Sequence, residues 1–307
     1  MIDEYHCCCC GGAAVARPGA TVGGFQLLAC EQCGFEHYAN PQSPVTSGGS
    51  LYELDEDYRT DALLGSNHRR MLQWHHYRVL SFLQRFPLPA AAATLDIGCH
   101  TGFFVRELLD RGIDAAGIDS NVSALEHGLQ AYRLTGRLSN STLDEIHLEG
   151  KRFDLISALE VLEHVQQPDS LLDQMVRLLK PNGLLAVSVP NKGMLWRPPL
   201  DYPPHHLSRF TAGALRSLIL ARGVRILLHN EQMSVFDLAR HFAGARMRNA
   251  RKRTLRGGEF RFRATSIHAR RFLNLARPIA NIALSPLDAM LHAFGLRYIG
   301  QLVIARA

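Results

Sequence analysis

Leu95-Asp96-Ile97-Gly98-Cys99-His100-Thr101-Gly102 sets a glycine-bearing turn between an apolar strand and the start of a helix. In an open α/β sheet ligands bind at the carboxyl ends of the strands, so this turn lies where a crevice opens. Gly98 permits the tight turn, and Gly102 lets the following helix approach closely. The backbone amides of the turn, those of Cys99 and His100 included, can hold a carboxylate or another polar group. Asp119 follows Gly102 by seventeen residues and ends the next apolar run, with Ser120 beside it. A carboxylate there can accept both hydroxyls of a ribose. A glycine turn alone carries little; turn, spacing and strand-end acid together carry much more.

Strands and helices alternate outward from this turn. Thr94 to Gly98 reads as a strand, Gly102 to Arg111 as a helix, Ala115 to Asp119 as a strand and Val122 to Ala131 as a helix. A weaker strand near Arg137 to Thr142 precedes a strong one at Phe153 to Leu159, a helix at Asp169 to Lys180 and a strand at Leu184 to Pro190. A helix at Thr211 to Arg222, a strand at Val224 to His229 and a terminal strand at Gln301 to Ala305 complete the order. Upstream, Asn67 to Phe86 has helical character and Pro87 stops it. Strands alternating with ten-residue helices predict an α/β fold, a Rossmann-like doubly wound and mainly parallel seven-stranded sheet.

Six of the seven cysteines lie within the first 33 residues, as Cys7-x-x-Cys10, then nineteen residues, then Cys30-x-x-Cys33. Each pair turns two thiolates to one side, and a hairpin between the pairs brings them together into a tetrahedral zinc site. Gly11 and Gly34 follow the two pairs, where they let the turns place amides near the sulfurs. Cys8 and Cys9 are surplus, so another pairing register is open, as is a reduced, metal-free relic. Residues 1–40 are thus expected to form a small zinc-ribbon-like module, 41–65 a linker rich in Pro, Ser and Gly, and 66–307 the α/β domain.

With 47% apolar and 20% charged residues in 307, disordered and collagen-like classes are excluded. No run of eighteen uncharged apolar residues occurs, and the N-terminus lacks a secretory profile, so a cytoplasmic location is expected. The net charge of +6 is uneven: Arg240 to Arg271 holds eleven Lys or Arg against Glu259, a net +10, which leaves −4 for the rest. Such a stretch suits an anionic partner (a phosphate-bearing substrate, RNA or a lipid surface), or is a solvated helical face. It belongs to an insertion at about 236–296, far longer than an ordinary connection of about 2 to 6 residues. Within it Phe272 to Leu291 is helix-compatible but broken by Pro278 and Pro286.

Leu95 to Phe104, Gly117 to Ser120, and Phe153-Asp154-Leu155-Ile156 through Glu160-Val161-Leu162-Glu163-His164-Val165 resemble the signature blocks of class I S-adenosylmethionine-dependent methyltransferases. The resemblance implies that Asp96, Gly98 and Gly102 surround the methionine portion of S-adenosylmethionine, with Cys99 and His100 in the same turn. It also implies that Asp119 holds the ribose and that residues near Leu143 flank the adenine. His100 stands where the family usually has glycine. A dinucleotide-binding dehydrogenase does not suit the glycine spacing or the Glu-x-x-Glu-His block.

That block and the downstream Asp201-Tyr202-Pro203-Pro204-His205-His206 are similar to ubiquinone-biosynthesis and small-RNA 2′-O-methyltransferases. In those families the acids and a downstream histidine hold a divalent ion. Carried over, the ligands of Mg2+ or another divalent ion are Glu160, Glu163, His164 and His206, with His205 as base or substitute ligand. The alternative is that the histidines shape a lid. A bound cation would make a hydroxyl a better nucleophile, since it can lower the pKa of coordinated water from about 15.7 to about 7. The resemblance implies methyl transfer to a hydroxyl of a small or carrier-linked acceptor, such as a sugar, glycolipid or phenol. Peripheral contact with the inner membrane face is compatible with the basic insertion. Two readings stand beside it: an RNA 2′-O-methyltransferase, weakened because Phe260 and Phe262 give little aromatic interleaving, and a non-catalytic interaction module.

Overall fold

The computed structural model describes residues 5–22, 24–39, 72–194, 197, 201–231, 235–236, 239, 279–280, 282–291, 293–294 and 300–307. The linker 41–65 and the basic stretch 240–271 lie outside the described residues. The chain divides into two compact units: 1–192, 197–230 and 301–307 in one, 193–196 and 231–300 in the other.

In the first unit β1 (Tyr5–His6), β2 (Ala13–Val22), β3 (Phe25–Cys30) and β4 (Glu36–Ala39) run antiparallel in sequence order. The two cysteine-bearing turns join β1 to β2 and β3 to β4. Then come α1 (Trp74–Arg85), β5 (Ala93–Ile97), α2 (Phe103–Leu109), β6 (Asp114–Ile118), α3 (Val122–Ala131), β7 (Leu138–Ser139) and α4 (Leu143–Leu148). β8 (Phe153–Leu159), a single 3-10 turn (Leu162–His164), α5 (Pro168–Leu178), β9 (Leu179–Pro190) and β10 (Ser208–Arg209) follow. The order ends with α6 (Ala212–Leu220), β11 (Arg225–Asn230) and β12 (Gly300–Arg306).

Seven strands form one sheet in the order β11-β12-β9-β8-β5-β6-β7. β5 pairs in parallel with both β6 and β8, and β11 pairs antiparallel with β12. Leu95, Ile97, Ile156, Ala158, Val187 and Val189 are buried, because helices cover both faces and leave no solvent side for polar alternation. The connections reverse direction at β5, with β6 and β7 on one side and β8 and β9 on the other. The crevice therefore opens at the carboxyl end of β5, next to Gly98.

Several elements depart from the sequence reading. α4 forms because Thr142 caps it through Glu145 N (3.2 Å) while Glu145 Oε2 accepts from Thr142 N (2.7 Å). β9 begins at Leu179 rather than Leu184, since Leu179 pairs with Phe153 before a register shift carries Leu184 opposite Leu155. β10 joins the N-terminal sheet by pairing with β4, Ser208 opposite His37 and Arg209 opposite Glu36. Phe35 packs on Phe210 with ring centroids 4.9 Å apart, so the cysteine-bearing strands share one core with the large sheet.

In the second unit, residues 282–291 are helical through Pro286, where a break is expected. Proline removes the donor to the carbonyl four residues back, that of Ile282. The Ser285 hydroxyl donates to that carbonyl instead, at 2.8 Å. No helix among the described residues is long and apolar enough to cross a membrane.

Candidate active site

Gly98 takes φ 68°, and a Cβ there would lie 2.5 Å from Val161 Cγ2. The turn is tight because Ile118 O accepts from both Gly98 N (2.9 Å) and Cys99 N (3.1 Å). Asp119 completes it, accepting from His100 N at 2.7 Å and from Asn121 N at 2.8 Å. Each carboxylate oxygen keeps a further lone pair for another donor. His100 also sits at positive φ, 51°, the conformation that glycine adopts freely. Gly102 is a packing glycine: a Cβ would approach Leu134 and Leu138 to 2.7 and 2.8 Å.

These groups open on a cavity of about 610 Å³ whose wall includes Asp96, Gly98, Cys99, His100, Asp119 and Ser120. Asp96 stands opposite Ser157 in the parallel register and accepts from its hydroxyl at 2.6 Å. Burial, opposed by that hydrogen bond and reinforced by the Asp119 charge, raises the Asp96 carboxyl to about 7. Leu143 packs in the core instead of lining the cavity, and Asn140, Ser141 and Thr142 line it in its place. The other wall carries His75 and Glu160. Glu160 takes φ 60° and accepts from Ser188 Oγ at 2.9 Å. His75 Nδ1, buried and without a hydrogen-bond partner, lies 3.8 Å from Glu160 Oε1. Nothing in the sequence pattern of α1 singles out His75.

The acid block divides. Glu163, His164 and His206 offer ligand atoms all within 4.8 Å of one another, whereas Glu160 stands apart from this group. Glu163 is fully buried and neither of its carboxylate oxygens has a hydrogen-bond partner. Burial, then the Glu160 charge, raises its carboxyl well above the usual range. His164 Nδ1 lies 2.7 Å from His205 O, and a carbonyl can only accept, so Nδ1 bears the proton. Burial, aided by His206, lowers the His164 pKa to about 3, which keeps the ring neutral with its lone pair on Nε2. His206 Nδ1 lies 2.7 Å from Asp201 Oδ1. The sequence reading assigned no role to Asp201. His205 contributes its carbonyl to His164, and its imidazole is not part of the ligand group.

At the N-terminus Cys7, Cys10, Cys30 and Cys33 come together, with Cys7 Sγ to Cys33 Sγ and Cys10 Sγ to Cys30 Sγ both 3.5 Å. The two turns have the same form. Cys7 N donates to Gly12 O and Gly11 N to Cys7 O, as Cys30 N donates to Phe35 O and Gly34 N to Cys30 O. Cys8 and Cys9 stand outside the group, 3.9 Å apart, and no disulfide forms.

The strand order, the glycine turn after β5 and the acid ending β6 define a class I S-adenosylmethionine-dependent methyltransferase. A family model described as "Methyltransferase domain" matches residues 69–229, more than half of the sequence, and the chain belongs to that family. Over 183 residues it is 28% identical to the ubiquinone biosynthesis O-methyltransferase of Bradyrhizobium diazoefficiens, covering 59% of this chain and 67% of that protein. The Cereibacter sphaeroides protein of the same name is 34% identical over 110 residues, 34% of this chain and 44% of that one. The chain thus spans less than half of that relative's length. Among solved structures, phosphoethanolamine N-methyltransferase 2 of Haemonchus contortus, in complex with S-adenosyl-L-methionine, shares the fold. Its TM-score is 0.52 at 14% identity, over 88% of this chain and 62% of that one.

Proposed function

We propose that this methyltransferase acts on a hydroxyl oxygen of a small or carrier-linked, anionic acceptor, with a divalent cation at Glu163, His164 and His206. The observation that carries this reading is the Glu163 carboxylate, buried with both oxygens bare between two imidazoles. Without a partner such a group gives up its charge, as the raised pKa of the Glu163 carboxyl shows, and a cation beside it would favour the carboxylate and give its oxygens the partner they lack. Nδ1 of each histidine is turned to another acceptor, His205 O for His164 and Asp201 Oδ1 for His206, which leaves Nε2 of each ring for a ligand. One oxygen and two nitrogen donors form a mixed set that suits several divalent ions.

A cavity of about 610 Å³ is of ordinary size for a small-molecule site, about 300 to 1,000 Å³. Asp96, Gly98, Cys99 and His100 hold the methionine portion of the cofactor, Asp119 and Ser120 its ribose, and the segment Asn140 to Thr142 its adenine. S-adenosylmethionine supplies an electrophilic methyl group, and the cation a Lewis acid that makes a hydroxyl more acidic. Glu160, beside His75 on the cavity wall, takes up the proton of the acceptor hydroxyl, its carboxyl raised by burial to about 7, while His75 helps to orient that hydroxyl.

Cys7, Cys10, Cys30 and Cys33 hold a structural zinc ion. Their 3.5 Å sulfur separations are near the about 3.8 Å edge of a tetrahedron with 2.3 Å Zn–S bonds. A membrane-borne acceptor is supported by the second unit. Ile279, Ile282, Leu287, Met290 and Phe294 are exposed at spacings that put them on one helical face. The sequence just upstream carries the net +10 of residues 240–271, and apolar face plus cationic charge suits an anionic lipid surface.

The test is methyl transfer from S-adenosylmethionine to a panel of phenol, sugar and glycolipid hydroxyls, with and without EDTA. Transfer that needs a divalent ion and is lost in Glu163→Gln is the expected result. Transfer indifferent to both would sink the cation site, and transfer to amines alone would sink hydroxyl methylation.

A further inference from the structure

We infer that the cysteine ribbon is a brace for the cation site: the Leu207 peptide and the Arg209 guanidinium tie β4 to Glu163 and to the loop bearing Asp201 and His206. This rests on the reading of Glu163, His164 and His206 as a cation site. Leu207 stands between the two. Its N–H donates to Glu163 O at 2.7 Å, and its C=O accepts from Tyr38 N, also at 2.7 Å. The next two residues form β10, whose sheet partner is β4. Inside that pairing His37 Nδ1 and Ser208 Oγ lie 3.0 Å apart and buried.

Arg209, 8% exposed, makes the second tie. Its guanidinium lies 4.9 Å from the Tyr38 ring centroid and 4.5 Å from that of Tyr202, one from each side of the junction. Nη1 reaches Glu36 Oε2 at 3.4 Å, and Nη2 donates to Asp201 O at 3.1 Å. Asp201 in turn orients His206. The metal-binding turn itself is held from the same side. Thr211 Oγ donates to Cys33 O at 2.7 Å, and Lys192 Nζ donates to Gly34 O at 2.8 Å.

A ribbon made of residues 5–39 has little core of its own, and the free energy of metal binding at such a site is largely folding free energy. Without its metal the ribbon loosens β4, and β10 loses its sheet partner. Leu207 and Arg209 then lose the contacts that fix Glu163 and His206. Coupling between two binding sites is reciprocal, so a cation at Glu163 also raises the ribbon's affinity for its metal.

The experiment uses the full chain with zinc bound, the zinc-stripped chain, and the variants Arg209→Leu and Arg209→Lys. Mn2+ affinity is read by electron paramagnetic resonance, S-adenosylhomocysteine affinity by calorimetry, and backbone exchange of 201–211 by deuterium labelling. Arg209→Leu is expected to weaken Mn2+ binding by roughly tenfold or more, the loss usual for groups that orient metal ligands. S-adenosylhomocysteine affinity stays at the wild-type level, and Arg209→Lys recovers part of the Mn2+ loss. Zinc removal speeds exchange of 201–211 while β5 and β8 stay protected. Unchanged exchange of 201–211 after zinc removal overturns the brace, whatever Mn2+ does. A wild-type chain that binds no Mn2+, with exchange still responding to zinc, overturns the cation reading and leaves the brace as a device for the loop alone.

Discussion

Nδ1 of His206 lies 2.7 Å from Asp201 Oδ1, and Arg197 grips the other oxygen of the same carboxylate. Burial works against the Asp201 charge, but the His206 hydrogen bond and the Arg197 guanidinium outweigh it and hold the carboxyl below its usual range. A carboxylate so placed fixes the imidazole's tautomer and ring orientation. The pair lies beyond the Glu-x-x-Glu-His block in sequence, yet it fixes one member of the proposed ligand group.

Asp201→Asn tests this. The amide oxygen still accepts the Nδ1 proton, so the ring keeps its orientation and loses only the charge behind it. Mn2+ affinity should fall about tenfold, the lower end for such supporting groups, with S-adenosylhomocysteine affinity unchanged. Equal Mn2+ affinity in the two proteins would remove Asp201 from the account.

Asp119→Ala removes the acceptor of His100 N and Asn121 N as well as the proposed ribose contact. Hydrogen bonds to a charged group are worth about 1.5 to 3 kcal/mol, which corresponds to roughly ten- to hundredfold in affinity. Calorimetric titration with S-adenosylhomocysteine should show a loss of at least that lower figure. Wild-type affinity in the variant would place the cofactor elsewhere.

The sheet was legible because β5, β6, β8 and β9 are apolar runs separated by helix-length segments, and both faces of each strand are covered. β10 was not, since two residues carry no periodicity and Ser208 is in a strand only because His37, 171 positions away, pairs with it. α4 was missed although its capping pair, Thr142 and Glu145, stood in the sequence; six residues with two buried positions give too weak a helical period. Residue types point to a cluster of acids and histidines, but which acid joins the two histidines depends on backbone direction. Glu160, at φ 60°, turns toward Ser188, while Glu163 lies one 3-10 turn further on, beside His164. The resemblance puts the adenine near Leu143; that residue, the first of α4, is buried in the core, and the three before it line the cavity.

Asp96 gives a pH dependence of known sign. Its folded pKa of about 7 lies above the unfolded value of about 3.9, so the folded chain binds the extra proton between them. The stability this contributes is complete below about pH 4 and is lost as pH rises through 7, with a slope of up to about 1.4 kcal/mol per pH unit. Asp96→Asn lacks this loss. Without cofactor, its melting temperature should gain on that of the wild type from pH 4.5 to 8, while S-adenosylhomocysteine binding weakens. Parallel melting curves across that range would show that burial does not perturb Asp96.

The apolar face of the second unit gives a prediction independent of the chemistry. Ile282 and Phe294 are 75% and 77% exposed, and the opposite side of the helix is engaged locally, where Asp288 Oδ1 accepts from Val235 N at 2.7 Å. Replacing both exposed residues with Asp leaves that contact in place and sets two charges where an interfacial helix would enter the acyl boundary. Co-sedimentation with vesicles containing phosphatidylglycerol should fall several-fold in the double variant, and raised salt should weaken wild-type binding, because the cationic stretch contributes by screened attraction. Binding that is lost in high salt yet untouched by the two Asp substitutions would assign docking to the arginines alone. No binding by the wild-type chain would remove the membrane surface from the proposal and leave a freely diffusing acceptor.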